Sequence, residues 1–364
     1  MENMVENIEF LKKKFFKKKV FITGHTGFKG SWLLLILKQL NCNIRGFALD
    51  PEKDQDLYNL IEGDKLCDSV IGDIRNYNSL KKSLVEFEPD YIFHLAAQPL
   101  VIKSYEEPIC TYETNLMGTL NLFESLKFLN KKCNIIIITT DKVYENNNEN
   151  NLFKESDTLG GDDPYSSSKA CVELLVKSMR KSFFSLDNWN KHKKSISVAR
   201  AGNVIGGGDW SDNRIIPDIA RSIYNERSIN IRYPKSTRPW QHVLDPLIGY
   251  IFLASKLDDD PVKFSTEFNF GPNSSEVMDV ESLVKYSINI WDKGSYDIDK
   301  ELNYPESKLL MLSIEKAKKI LGWNPLFDMK NSIKLTLDWY KIYENDKKNS
   351  IKNIQLTIKN ILND

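Results

Sequence analysis

Short β-branched and aromatic runs alternate with longer apolar-periodic stretches through residues 15–200. Val20-Phe21-Ile22-Thr23 enters a glycine-spaced turn, and Ser31-Trp32-Leu33-Leu34-Leu35-Ile36-Leu37 leaves it as an apolar helix. Further strands are predicted at 43–49, 69–71, 90–95, 134–140 and 196–200. The run at 134–140 holds four consecutive isoleucines and reads as a strand buried on both faces, as in a parallel sheet. Residues 115–129 read as a helix with Leu116, Leu120 and Phe123 on one face, and 329–343 as an amphipathic helix. Strands alternating with helices predict an α/β fold: a doubly wound parallel sheet (Rossmann) over 15–200, with a return segment around 240–270. Gly/Pro-rich loops and helical segments over 201–364 predict a smaller, mixed carboxyl-terminal domain given mainly to substrate, its last part a helical lobe closing over the site.

In such sheets ligands bind beyond the carboxyl ends of the strands, so the residues at those ends carry the chemistry. After the first strand come Gly24, Gly27 and Gly30, spaced so that the backbone can approach a pyrophosphate at the start of a helix. Asp50 closes the second strand, where a carboxylate meets ribose hydroxyls and repels the 2′-phosphate of NADP, which favours NAD. Lys29 and Arg45 are cations that pull the other way. Asp73 ends a third strand and reads either as an adenine contact or as a turn aspartate. Ala96 and Ala97, after the fourth, are small enough to let a cofactor lie close.

Thr140-Asp141-Lys142 ends the isoleucine strand, and Tyr165 and Lys169 follow four apart, on one face of a helix. An ammonium beside a phenol stabilises the phenolate, making a base for alcohol oxidation. Tyr-x-x-x-Lys alone arises by chance in many helices; its place after a dinucleotide turn gives it weight. Asp141 and Lys142 add a second acid and a second amine, which oxidation alone does not need and an elimination does. Downstream, arginines and asparagines in Gly/Pro-rich loops, among them Asn203, Arg214 and Arg238, suit a diphosphate, because a guanidinium forks two oxygens. Trp240 reads as core packing. The polar stretch 145–163 reads as a mobile loop, an active-site cover or a solvated insert.

Composition narrows the partners. Lys+Arg and Asp+Glu are both 50 in 364 residues, so no net field draws the chain to nucleic acid or membrane. The basic stretch from Lys12 to Lys19 reads as a solvated lead-in, and neither a signal peptide nor a membrane span is read. Five cysteines without a Cys-x-x-Cys pair suit reduced thiols in a cytoplasm, and four scattered histidines suggest no metal.

With these residues in place, the chain resembles the extended short-chain dehydrogenase/reductases from Phe16 to Tyr340, and among them the CDP-glucose 4,6-dehydratases. The strings that carry the likeness are 23–32, 140–145, 159–166, 200–210 and 237–243. At Ile102, where that family tends to carry a basic residue, only the neighbouring Lys103 remains. The resemblance implies bound NAD, contacted by Gly24, Thr26, Gly27, Phe28, Lys29, Gly30, Asp50, Asp73, Ile74, Leu95, Ala96, Ala97, Thr114, Tyr165 and Lys169. It implies CDP-glucose as substrate, met by Gln98, Ser104, Asn203, Arg214, Arg232, Arg238 and Gln241. It makes Tyr165, with Lys169 and Thr140, the oxidising group, Asp141 the acid and Lys142 the C5 base, in a homodimer paired through two helices and feeding deoxysugar and surface-polysaccharide synthesis. Another nucleotide-sugar dehydratase, a C4 epimerase of the same fold and a non-catalytic NADH sensor are the alternatives.

Overall fold

The computed structural model describes residues 2–146, 152–274, 277–298 and 310–363. Seven strands form the main sheet: β1 (Lys19–Thr23), β2 (Asn43–Ala48), β3 (Asp68–Ile71), β4 (Tyr91–His94), β5 (Cys133–Thr140), β6 (Lys194–Ala201) and β7 (Glu267–Phe270). Their spatial order is β7-β6-β5-β4-β1-β2-β3, and every pairing is parallel. The order reverses between β1 and β4, the switch point at which a doubly wound sheet opens its ligand crevice. Both β5 and β6 are buried at every position; in β5 this matches the unbroken isoleucine run, whereas β6 also buries Lys194, Ser195, Ser197 and Arg200. The chain returns from its second half to add β7 beside β6.

Helices cover both faces. Phe28–Gln39 and Leu244–Asp259 lie on one side, and their core runs on through Trp339 and Tyr340 to Ile354 and Leu362. Tyr77–Phe87, Gly118–Leu126 and Pro164–Ser182 cover the other, burying Leu80, Leu122, Phe123, Val172 and Val176 against the isoleucines of β5. Ahead of the Gly118–Leu126 helix, Glu113–Met117 forms a π-helical turn.

Three expectations change. The basic lead-in is the end of a helix, Glu2–Phe15, docked on the Leu244–Asp259 helix. Ile8, Leu11 and Phe15 fall on one helical face and are buried, Phe15 stacks on Tyr91 with centroids 4.6 Å apart, and Lys14 reaches Asp258 and Asp259, each at 2.6 Å. The carboxyl-terminal helix Lys347–Asn363 does not close over the crevice; it packs on Phe28–Gln39 and Met329–Asn345. The polar loop is anchored rather than free where it is described, residues 147–151 lying outside the described residues. Leu152–Phe153 pairs with Met311–Leu312, and the Glu155 carboxylate accepts the Asn269 N–H at 2.9 Å.

Candidate active site

The β1 turn is close-packed where it meets the sheet and open on its outer side. Gly24 has φ +77°, and a Cβ there would lie 2.8 Å from the Ala96 nitrogen. A Cβ on Gly30 would lie 2.1 Å from the Gly24 carbonyl oxygen, whereas one on Gly27 would meet only that oxygen, at 3.5 Å. The Phe28–Gln39 helix has Gly27 at its N-cap with no side-chain cap, leaving first-turn N–H groups for an anion. Thr26 Oγ1 donates to the Leu49 carbonyl at 2.9 Å, tying the turn to the end of β2, where Asp50 is exposed. This open cradle with a carboxylate at the next strand end fits a dinucleotide.

The neighbouring residues divide. Arg45 is held by Asp68 at 2.5 Å and lies over the Phe87 ring, so it does not compete with Asp50. Both oxygens of Asp73 are occupied by Arg75, whose pull outweighs burial and holds the carboxyl below its usual range. The buried Ile74 side chain packs on Gly118. The Ala96 N–H donates to Thr23 Oγ1 at 3.2 Å, beside Leu95 and Ala97; Thr114 lies next to the Cys110 thiol, 4.0 Å away. Lys29 turns away from the adenosine end. Its ammonium lies 6.0 Å from the centre of the Tyr250 ring, with Arg214, Asp141 and Lys169 as its charged neighbours, and burial first, then those cations, lower it to about 8.

The Pro164–Ser182 helix begins with Asp163 as N-cap and Pro164 at its first position. Tyr165 and Lys169 therefore sit in its first two turns, both nearly buried, and Lys169 Nζ donates to the Ile138 carbonyl at 3.1 Å. Ser104 Oγ accepts the Tyr165 N–H at 3.1 Å, and Ser168 Oγ donates to the Tyr165 carbonyl at 2.7 Å. A buried chain of polar side chains continues inward. Asn115 Nδ2 donates to Ser168 Oγ at 2.9 Å, Thr119 Oγ1 donates to the Asn115 carbonyl, and His94 bridges Thr119 and Thr23 at 2.9 and 2.8 Å. The catalytic helix is thus tied to β4, β1 and the π-helical turn.

Burial pushes Tyr165 up to about 12, against the pull of the Thr140 hydroxyl, and lowers Lys169 to about 8. At the end of β5, Thr140 Oγ1 accepts the Lys142 N–H at 3.3 Å and donates to Asp141 Oδ1 at 2.9 Å. Asp141 is 4% exposed, and burial raises its carboxyl in spite of Lys142, Thr140, Arg238 and Lys29. The Lys142 side chain is half-buried, with no hydrogen-bond partner among the described residues.

On the substrate side, Arg214 pairs with Asp209 at 2.7 Å and lies among Tyr165 and Lys29. Arg238 is a charged neighbour of Asp141, and Asn203 is half-buried beside them in sequence order after β6. Of the other expected substrate contacts, Ser104 touches Tyr165 and Gln241 lies beside Asn203, whereas Gln98 and Arg232 lie among other residues. Gln98 is bonded to Leu100 and Thr111 and Ser104 to Val101 and Tyr165, while Gln241 Nε2 donates to the Phe270 carbonyl and its buried Oε1 has no hydrogen-bond partner among the described residues. Arg232 is exposed, near Asp218. Lys103 lies toward Glu107, 3.8 Å away.

Sequence reasoning missed the Asn115–His94–Thr119 chain and the pair Glu173–Arg200. The first has no local signal, since a π-helical turn sets it; the second was visible only as an acid four residues after Lys169. Among the described residues no cluster of His, Cys, Asp and Glu could hold a metal, no helix is long and apolar enough to cross a membrane, and all five cysteines are free.

A Rossmann sheet with Tyr165 and Lys169 beside the Thr140–Asp141 end of β5 fits the nucleotide-sugar dehydratases. The family described as GDP-mannose 4,6 dehydratase matches residues 21–336, and the chain belongs to it. It is 44% identical over 327 residues to a CDP-glucose 4,6-dehydratase of Salmonella typhimurium, covering 90% of this chain and 91% of that one. It is 23% identical to a UDP-glucose 4-epimerase of Mycoplasma genitalium, covering 91% and 98%. The fold matches the structure of a dTDP-glucose 4,6-dehydratase from Bacillus anthracis in complex with NAD (TM-score 0.74, 22% identity, 91% and 98% covered).

Proposed function

We propose that the protein converts CDP-glucose to CDP-4-keto-6-deoxyglucose and water, using NAD that is regenerated in each turnover. The observation that carries this reading is the placement of Asp141 and Lys142 at the end of β5, beside Tyr165 and Lys169. Bound NAD supplies the hydride acceptor for C4 and the hydride donor for C6. Tyr165 takes the C4 hydroxyl proton, with Thr140 and Lys169 favouring the phenolate. The C4 ketone acidifies C5; Lys142 removes that proton while Asp141, whose carboxyl burial raises, gives one to the departing C6 hydroxyl. A C4 epimerase needs neither group, so this pair favours elimination. Asp50 at the end of β2, with Arg45 already paired, favours NAD over NADP. Arg238, with Arg214 and Asn203, is placed to hold the diphosphate.

The reaction is tested in heavy water with CDP-, dTDP-, GDP- and UDP-glucose. CDP-glucose should give the 4-keto product with solvent deuterium at C5 and substrate-derived hydrogen at C6, without NADH build-up. Steady NADH accumulation with an oxidised sugar would mean a simple dehydrogenase.

A homodimer in the cytoplasm completes the reading. Val172 and Met179 face the sheet, while Ile109, Met117, Leu174 and Phe183 are among the exposed apolar residues of this side. Four such residues on neighbouring helices suit a self-complementary interface. Light scattering should give twice the monomer mass, and Leu174→Glu should lower it.

A further inference from the structure

The Pro164–Ser182 helix carries one more buried ionisable group, which the reaction does not use. Glu173 stands one turn beyond Lys169 and is 3% exposed. Its Oε1 accepts the Thr139 hydroxyl at 2.6 Å and the Arg200 Nε at 2.9 Å, and its Oε2 accepts the second Arg200 nitrogen at 3.0 Å. Arg200, also 3% exposed, donates its remaining nitrogen to the Tyr144 hydroxyl at 2.7 Å and to the Glu155 carbonyl at 3.2 Å. Its guanidinium lies 4.9 Å from the centre of the Tyr144 ring. Tyr144 in turn donates to Asn269 Oδ1 on β7 at 2.7 Å.

Three members of this cluster stand close in sequence to a reacting group. Thr139 precedes Thr140, Tyr144 follows Lys142 by two residues, and Glu173 follows Lys169 by four. A packed core needs no buried ion pair for stability, since such pairs are costly to desolvate. Apolar residues could tie the helix to β5, but they would hold neither a hydroxyl nor an ammonium.

We propose that Glu173 and Arg200 are positioning residues for the reaction. They lock the helix bearing the oxidising pair to the strand end bearing the eliminating pair, and Glu173 keeps Lys169 as an ammonium. Burial lowers Lys169 to about 8 and Glu173 opposes that fall. The other groups around Lys169 are Lys29 from the Phe28–Gln39 helix and His94 from β4, which burial lowers to about 3 and leaves neutral. Asp141, Arg214 and Tyr250 face Tyr165.

This inference rests on the dehydratase reading, and the wild-type enzyme separates the two. NAD-loaded protein is mixed with CDP-glucose in a single turnover, following the NADH transient and C5 deuterium exchange against pH. No wild-type transient would count against the dehydratase reading itself. Given one, Glu173→Gln should move its alkaline limb down by about one pH unit, because removing the negative charge lets Lys169 lose its proton earlier. Arg200→Lys keeps the charge but cannot fork Glu173, Tyr144 and Glu155 together; it should keep the transient and slow C5 exchange about tenfold or more. If Glu173→Gln does not fold, Glu173→Gln with Arg200→Gln leaves no unpaired buried charge and carries the same pH test. A lowered melting temperature with the limb and the exchange-to-transient ratio unchanged would make the pair purely structural and overturn the proposal.

Discussion

The turn after β1 packs three glycines into seven residues, whereas the proposed diphosphate residues Asn203, Arg214 and Arg238 come from three separated segments after β6. Both face the same crevice. In the turn, backbone supplies the contacts, so the sequence must be small, and any Cβ at the closed positions meets main chain. In the loops the proposed contacts are side chains, of which Arg214 is held by Asp209. Local construction fails abruptly; assembled construction loses affinity step by step.

The end of β5 is the sharpest local case, three adjacent residues with three proposed roles. Lys142→Met should still bind CDP-glucose and NAD and still oxidise C4, leaving NADH visible by absorbance in a single turnover. Dehydration should fall by about 10²–10⁴-fold, the usual cost of a positioned acid or base. Full C5 exchange in this variant would move the base elsewhere, with Glu145 the next candidate.

Within the turn the two glycines should separate. Gly30→Ala forces a methyl to 2.1 Å from the Gly24 carbonyl oxygen and should cost about 1–3 kcal/mol or more of stability together with NAD binding. Gly27→Ala has room toward the protein and should keep its melting temperature while losing NAD affinity, because its methyl occupies the open side. Thermal melts with and without NAD distinguish them; equal stability losses would mean that the open side of the turn is not a phosphate site.

The assembled side should show the smaller, graded loss. Arg238→Ala should weaken CDP-glucose binding by about 1.5–3 kcal/mol, the range for a hydrogen bond to a charged group, with NAD affinity unchanged. Calorimetric titration checks both. Unchanged substrate affinity would place the diphosphate elsewhere.

Much of this division could be read along the chain. The glycine spacing, the isoleucine strand and the Tyr165/Lys169 interval are short-range patterns, and the structure forms the corresponding turn, strand and helix within a residue or two. The lysine stretch was misread because its apolar partners, Ile8 and Leu11, precede most of it, and a face three or four residues apart is easily hidden by a charge run. Lys29 was misplaced for a different reason: its position in the turn is local, but the direction of a four-carbon side chain is set by what surrounds it.

By itself the sequence determined the strand–turn–helix units, the chemical inventory at each strand end and the balance of charge. These depend on backbone geometry repeating every two or 3.6 residues, and on which atoms a side chain carries. Only the tertiary structure decided that Gln98 is bonded to Leu100 and Thr111, that β7 comes back beside β6, and that burial leaves Asp141 raised against four opposing neighbours. Burial and long-range partners exist only once distant segments pack, and the cost of a charge depends on them more than on the residue that bears it.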